Sequence, residues 1–311
     1  MLHMRVIAPP EQTAAVRDLL TAAPGATHVI VLPGAAVQPV GDVVESDVTR
    51  ESVDDVLVRL CELGIDRTGG VTLEALDTTL SDAADAAEAA VPGDPQDAVI
   101  WDEVVARTGE ESRLSVSFQT FLTIACLLAA IGAITDSPVT VVGAMVLGPE
   151  FGPLAAVAVG VVLRRGDLVR RGAIALVVGF PLAMAVTAVG SVLLDLAGLL
   201  STAQLADLSQ VAFIYEVGPF SLIVALLAGA AGMLALTSAK SASLVGVFIS
   251  VTTVPAAAFA SVALVEGRYL QAMQSGIQLA VNLVGIVVAA IVVLMFARRQ
   301  SERGGRKLSA G

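Results

Sequence analysis

The chain has 311 residues, 56% of them hydrophobic, with a mean hydropathy of +0.82 and a formal net charge of −11. Residues 1–113 contain 21 acidic and 7 basic side chains, whereas residues 114–311 contain 8 acidic and 11 basic ones. This division predicts an acidic soluble domain followed by an apolar membrane domain, a composition that excludes an ordinary soluble protein. The acidity also argues against nucleic-acid binding, which needs cations that neutralise phosphates.

The cysteines and histidines do not form a recognisable metal or disulfide pattern. Cys61 falls in the soluble part and Cys126 in an apolar segment, so they are not expected to pair. His3 and His28 lack ligand spacing, and we expect no metal and no cofactor. Because the N-terminus has no apolar run of signal-peptide length, the soluble domain is expected to stay in the cytoplasm.

Residues 1–76 show the pattern of a small α+β domain. Strands are predicted at residues 4–9, 26–32, 42–48 and 70–76, and helices at residues 11–22 and 51–63. Pro33-Gly34 is expected to end the second strand, Thr49 to cap the second helix and Gly64 to follow it. The resulting order, β-α-β-β-α-β, is that of a ferredoxin-like domain. A structural or oligomerising role and a small-molecule sensor are both compatible with it.

Residues 77–113 are predicted to connect this domain to the membrane. Residues 77–95 are acidic and alanine-rich, which indicates a linker that is partly helical at most. Residues 97–112 have an amphipathic pattern typical of a juxtamembrane helix. Their acidic side chains disfavour binding to an anionic leaflet.

Six apolar segments in residues 114–297 are long enough to cross a bilayer as helices. They are predicted at residues 117–135, 138–163, 172–194, 220–236, 243–265 and 276–297. Basic residues cluster in the loop at 164–171 and in the tail at 298–311, so the positive-inside rule predicts that both termini are cytoplasmic. We therefore expect a multi-pass protein of the cell (plasma) membrane. Asp136 is expected to cap the helix that begins at Pro138.

The second predicted span is interrupted by the sequence GPEFGP at residues 148–153. Two prolines and two glycines within six residues cannot continue a straight helix, and Glu150 lies between them. A broken backbone and a charge are tolerated inside a bilayer only within protein or around a wet cavity. Transporters build binding sites from such discontinuous helices, so we expect Gly148, Glu150 and Gly152 to belong to a substrate- or ion-binding site.

The second half of the membrane domain resembles the first. Val-Val-Gly at 141–143 matches Leu-Val-Gly at 244–246 with an offset of 103, and Pro153 matches Pro255 with an offset of 102. The two halves would then be units of three spans each. Because three is odd, the second unit must be inverted relative to the first.

The fifth predicted span carries the second interruption, SVTTVP at residues 250–255. The hydroxyls of Ser250, Thr252 and Thr253 could coordinate a cation or bind a solute, or they could bond back to their own helix. The helix N-termini expected near Pro153 and Pro255 carry partial positive charge and could hold an anion. Asn282 in the sixth span could reach the two breaks or bond a neighbouring helix instead. With Glu150 and its flanking glycines, these residues form the predicted site.

Several stretches of this membrane region are similar to the DUF389 membrane proteins. They are IGAITDSPVTVVGAMVLGPEFGPL at 131–154, GAAGMLAL at 229–236, VGVFISVTTVPA at 245–256 and VNLVGIVV at 281–288. The resemblance covers about residues 112–297 and implies a polytopic membrane architecture. Many members of this family have Leu-Met where this chain has Glu150-Phe151, so the family pattern does not require the acid. The family name records an undefined function, and the resemblance implies no particular activity.

The preferred hypothesis is a transporter or permeation protein for a small solute or ion. It would have a cytoplasmic regulatory domain, and Glu150 would carry the ion or proton. The alternative is a membrane-anchored sensor or scaffold whose N-terminal domain binds a metabolite or partner. An enzyme is not expected, because the predicted spans hold no Ser/His pair, no paired aspartates and no HExxH motif. Small residues along the spans permit close helix contacts and favour a homo-oligomer.

Overall fold

The computed structural model describes residues 1–94, 98–199, 218–238 and 252–308. The chain divides into two compact units. The first is built mainly from residues 1–103, and the second from the described residues between 104 and 298. Each unit is described by itself.

The first unit is a small antiparallel sheet with helices. Its elements are β1 (Leu2–Ala8), α1 (Thr13–Ala22), β2 (Ala26–Val37), β3 (Val40–Val48), α2 (Arg50–Glu62), the one-turn helix α3 (Ile65–Thr68) and β4 (Gly70–Ala75). The sheet order is β2-β3-β1-β4, and β1 pairs antiparallel with both β3 and β4. The order of strands and main helices is the predicted one, with α3 added.

Strand β1 lies at the centre of this unit's hydrophobic core, and buried and more exposed side chains alternate along it. Successive side chains of a strand point to opposite faces, so every second residue of β1 faces α1 and α2. The buried residues that meet there come from the strand and both helices: Leu2, Met4, Val6, Ala8, Val16, Leu20, Val53, Val56 and Leu60. This packing gives the unit a hydrophobic core of its own.

Two details of the first unit differ from the prediction. Strand β2 does not end at Pro33-Gly34 but continues to Val37, with a register shift between Leu32 and Ala36. A proline is tolerated there because β2 is an edge strand, where a missing N–H need not break a ladder bond. Thr49 does precede α2, but its side chain makes no capping bond and instead donates to Ser52 Oγ at 3.2 Å.

Two helices follow the sheet. The predicted linker contains α4 (Asp82–Ala90), whose N-terminus is capped by Ser81, with the side chain accepting a hydrogen bond from the Ala84 N–H. Next comes α5 (Trp101–Glu111), within the predicted juxtamembrane segment. The predicted linker is thus partly helical, which fits its alanine content, because alanine is the best helix former.

The second unit is helical. Its helices are α6 (Val116–Ile134), α7 (Pro138–Leu147), α8 (Phe151–Val162), α9 (Gly166–Leu196), α10 (Pro219–Thr237), α11 (Thr253–Val265) and α12 (Tyr269–Leu308). Four of them, α6, α9, α10 and α12, are long and apolar enough to cross a membrane. Helices α7 and α8 together make a fifth candidate, bent by 51° at the break between them. The first part of the predicted fifth span lies outside the described residues, and α11 alone is short.

The outer faces of these helices carry large apolar side chains that no described residue covers. Examples with more than 60% of their surface exposed are Val177, Val189, Leu193, Val284 and Phe296. An apolar surface spread over several long helices needs a lipid environment. The protein is therefore a membrane protein with a small antiparallel sheet unit at its N-terminus.

Helix boundaries in this unit also correct the prediction. Helix α9 begins before residue 172 and α12 before residue 276, since hydropathy detects only the apolar part of a helix. Asp136 does not cap α7; Ser137 does, its side chain accepting from the Thr140 N–H. Asp136 instead adopts a positive φ of 47° between the two helices.

Candidate functional site

Glu150 lies between α7 and α8 as the residue that precedes the first turn of α8. Only 4% of its surface is exposed. Its Oε1 accepts a hydrogen bond of 2.6 Å from the Thr253 hydroxyl, and its Oε2 has no hydrogen-bond partner among the described residues. A buried carboxylate oxygen without a partner is energetically costly, so this position favours a proton, a water molecule or a cation.

Two helix N-termini converge at this carboxylate. Helix α8 begins at Phe151 and α11 at Thr253, and each has a proline as its third residue. Proline fits the first turn of a helix because the N–H that it lacks would have no intrahelical partner there. The partial positive charge of a helix N-terminus is a favourable neighbour for a carboxyl group, and it partly offsets the cost of burying Glu150.

Gly148 provides the space that the carboxylate occupies. A methyl group added at Gly148 would overlap Glu150 Oε2 and lie 2.9 Å from Val254 Cγ2. The backbone of Gly148 has φ −67° and ψ 123°, which any residue can adopt. Glycine is therefore needed at this position for room and not for backbone conformation.

A second group of polar side chains lies next to the first. Asn282 of α12 is 2% exposed, and its Nδ2 donates to Thr252 Oγ1 at 2.8 Å. Its Oδ1 is 3.5 Å from both Ser221 Oγ and Gln278 Nε2. Gln278 Nε2 also donates to Ser221 Oγ. Because Thr252 adjoins Thr253, hydrogen-bonded side chains lead from Glu150 to α10 and α12.

Gly152 lies on a different side of the break. A methyl group added there would be 2.6 Å from Glu111 Cβ, at the end of α5. A cavity of about 390 Å³ opens beside it, lined by the break and by the turn from α5 to α6. Arg113 and Glu111 contribute to its wall, and Arg107 Nε donates to Glu111 Oε1 at 3.2 Å.

The predicted site residues are thus brought together to different degrees. Glu150 and Thr253 are in direct contact, Gly148 adjoins them, and Thr252 and Asn282 pair one position further on. Gly152 faces α5 instead, and Ser250 lies outside the described residues. Among the described residues no group of three or more His, Cys, Asp or Glu side chains suited to a metal ion is found.

Three polar residues of this region were not singled out from the sequence. Ser275 and Gln278 precede Asn282 by seven and four positions, which places all three on one face of α12. Ser221 lies near the start of α10 and contacts Gln278 and Asn282. A helical spacing of polar residues in a predicted span is a signal that could have identified Ser275 and Gln278, whereas Ser221 carries no such signal.

Comparison with known proteins gives one match. The model of the family DUF389, described as a domain of unknown function, matches residues 145–288. The matched region runs from the end of α7 to the middle of α12 and contains the break at Glu150 and the N-terminus of α11. No curated protein and no solved structure matches this chain. The DUF389 family model therefore matches the region whose sequence motifs resemble that family.

Proposed function

We propose that this protein is a membrane transporter or permeation protein for a small cation, which includes the proton. Glu150 is the residue that binds the ion. The observation that carries the proposal is a buried carboxylate at a helix break, with one oxygen held by Thr253 and the other without a described partner. A carboxylate inside a membrane domain is expensive to maintain, and such residues commonly mark ion pathways.

The direction of the helices supports a broken second span that crosses the whole membrane. Leu122 of α6 lies beside Gly179 of α9, and Leu127 lies beside Gly190, so α6 and α9 run parallel. Two helices separated by one crossing segment are parallel, whereas a re-entrant hairpin between them would leave them antiparallel. Helices α7 and α8 therefore act as one bent span in the proposed topology.

The same reasoning applies to the second half of the domain. Ala225 of α10 lies beside Gly285 of α12, and Gly229 lies beside Ile286. Together with the bond from Gln278 to Ser221, these contacts make α10 and α12 parallel. We expect a single crossing segment between them, of which α11 is the described part. This gives six spans, with two half-helices that each begin just after a break and have proline third.

These features support an inverted 3+3 repeat around the ion site. With both termini cytoplasmic, the basic loop at 164–171 and the basic tail satisfy the positive-inside rule. The half-helices α8 and α11 would then point in opposite directions from the membrane interior. In this arrangement the N-terminal unit is a cytoplasmic regulatory domain, and the protein carries out no covalent chemistry.

Ion flux into proteoliposomes tests the proposal. The purified protein is reconstituted, and uptake of H⁺, Na⁺ and K⁺ is measured separately under an imposed gradient. The substitution Glu150→Gln keeps the size of the side chain but removes its charge, so flux of the transported cation is expected to be lost. Asp195→Asn, which removes an exposed carboxylate at the end of α9, is the matched control and should retain flux.

The rival function is a membrane-anchored sensor or scaffold. It predicts that water does not reach the breaks and that substitution of Glu150 does not change ion flux. If wild-type protein conducts none of the three cations, or if Glu150→Gln conducts as well as wild type, the proposed role of Glu150 is wrong.

A further inference from the structure

Three polar side chains form a buried stripe along α12. Ser275, Gln278 and Asn282 are at most 2% exposed. Their spacing of three and four residues puts them on one helical face, and the opposite face carries exposed apolar residues such as Ile277 and Val284. The stripe therefore faces the interior of the helical unit and not the lipid.

The polar stripe reaches the ion site at one end. Asn282 Nδ2 donates to Thr252 Oγ1 at 2.8 Å, and the adjacent Thr253 donates to Glu150 at 2.6 Å. At the other end the stripe extends toward the surface. Gln271, four residues before Ser275, is only partly buried, and its Oε1 accepts from Arg268 Nη1 at 3.2 Å. At 1.5 Å per residue, Gln271 and Asn282 are about 16 Å apart along the helix.

The unpartnered atoms of the polar stripe indicate what occupies it. Ser275 Oγ and Gln278 Oε1 are buried and, like Glu150 Oε2, have no hydrogen-bond partner in the part of the chain that is described. Each such atom is destabilising if nothing binds it. Glu150 Oε2 and Gln278 Oε1 are acceptors, and the Ser275 hydroxyl can accept as well as donate. Water molecules and a small cation can therefore satisfy all three atoms.

We propose that the polar stripe lines a water-filled path for a monovalent cation from the Tyr269 end of α12 to Glu150. This inference rests on the proposed function, for which it supplies one access route and the charge class of the ion. One carboxylate and a series of neutral oxygens suit a monovalent ion, because a hard divalent cation normally takes several carboxylate ligands. The cavity beside Gly152 is lined by Gly148 and by the turn from α5 to α6, and its lining does not include the stripe.

Protection of introduced cysteines by Ag⁺ tests this path, because Ag⁺ is a monovalent cation that reacts with thiols. Ser275→Cys and Gln278→Cys are made in full-length protein that also carries Cys61→Ser and Cys126→Ala. The matched controls are Ile277→Cys, on the exposed apolar face, and Leu294→Cys, which is fully buried beyond Asn282. After exposure to Ag⁺ in membranes, the protein is denatured and the remaining thiols are labelled with a fluorescent maleimide.

Ag⁺ is expected to block later labelling of Ser275→Cys and Gln278→Cys and to leave Leu294→Cys fully labelled. Ser275→Cys exchanges one small side chain for another, so this variant is expected to fold even if Gln278→Cys does not. Labelling of Ser275→Cys equal to that of Leu294→Cys overturns the path. If the path is wrong but Glu150→Gln still abolishes flux, the proposed function stands. Protection without any dependence of flux on Glu150 would refute the proposed function and leave the water-filled path.

Discussion

Substitution of Gly148 by alanine is expected to disturb the proposed ion site at Glu150 more than it disturbs the fold. The added methyl group would overlap Glu150 Oε2 and lie 2.9 Å from Val254 Cγ2. Because the carboxylate is the far end of a flexible side chain, it can rotate away from the added methyl group. That rotation breaks the hydrogen bond from Thr253 and fills the space in which a cation would bind.

The expected loss of affinity for the ion follows from the loss of this hydrogen bond. A hydrogen bond to a charged group contributes about 1.5–3 kcal/mol, which corresponds to a decrease of about 10- to 100-fold in affinity for the ion. Displacement of Val254 adds an overpacking cost of about 1 kcal/mol, at the low end for extra methyl groups in a packed interior. Gly148→Ala should therefore lose cation flux while its unfolding temperature falls by only a few degrees.

The matched control is Gly143→Ala in the same helix. A methyl group at Gly143 would meet no atom within 4 Å, so this variant should keep both flux and stability. Flux is measured in proteoliposomes over a range of cation concentrations, and unfolding is followed by circular dichroism. If Gly148→Ala transports with the same concentration dependence as Gly143→Ala, the space beside Glu150 is not an ion site and the reasoning fails.

Two further predictions concern packing and pH. Gly229→Ala would bring a methyl group to 2.5 Å from the Ile286 carbonyl oxygen and 2.7 Å from its Cα, so it should lower the free energy of unfolding by about 1–3 kcal/mol. The control is Gly276→Ala, whose added methyl group would meet no atom within 4 Å and should not change stability. Equal unfolding temperatures for the two variants would contradict the packing of α10 on α12. Burial and the neighbouring Asp102 carboxylate raise the pKa of Asp54 from 3.8 to about 6. Ionisation of Asp54 therefore destabilises the folded first unit: the full loss of stability is present above about pH 6, and none is present below about pH 3.8, where Asp54 is protonated in the folded and the unfolded chain. Asp54→Asn should therefore slow hydrogen exchange in α2 at pH 8 and leave it unchanged at pH 4. The free energy of opening should rise at pH 8 by less than about 3 kcal/mol, because the side chain is partly exposed to solvent. An equal rise in the free energy of opening at both pH values would show that ionisation of Asp54 is not the cause.

Much of the architecture could be predicted because its signals are local. Period-two and helical patterns identified the four strands and two main helices of the first unit, and the GPEFGP sequence located the break at Glu150. The ends of elements were less predictable. Strand β2 passes through Pro33-Gly34 because it lies at a sheet edge, and edge position is a tertiary property.

The composition of the site could be predicted only in part. Glu150 is conspicuous as an acid within an apolar segment, but its hydrogen bond to Thr253 joins residues 103 positions apart. No local pattern specifies that contact, although the predicted repeat, with its offset of 102 to 103, would pair the two residues. The unpartnered oxygens of Ser275 and Gln278 depend on which atoms surround them and could not be inferred from residue type.

Infrared difference spectroscopy of reconstituted protein tests the role of Glu150 most directly. The carbonyl stretch of a protonated carboxyl group is recorded as the pH is changed and as the transported cation is added, in wild type and in Glu150→Gln. Among the carboxyl bands that change with pH in wild type, one is expected to respond to the cation and to be missing from Glu150→Gln. Identical difference spectra for the two proteins would mean that Glu150 neither exchanges protons nor senses the ion, and the account would be contradicted.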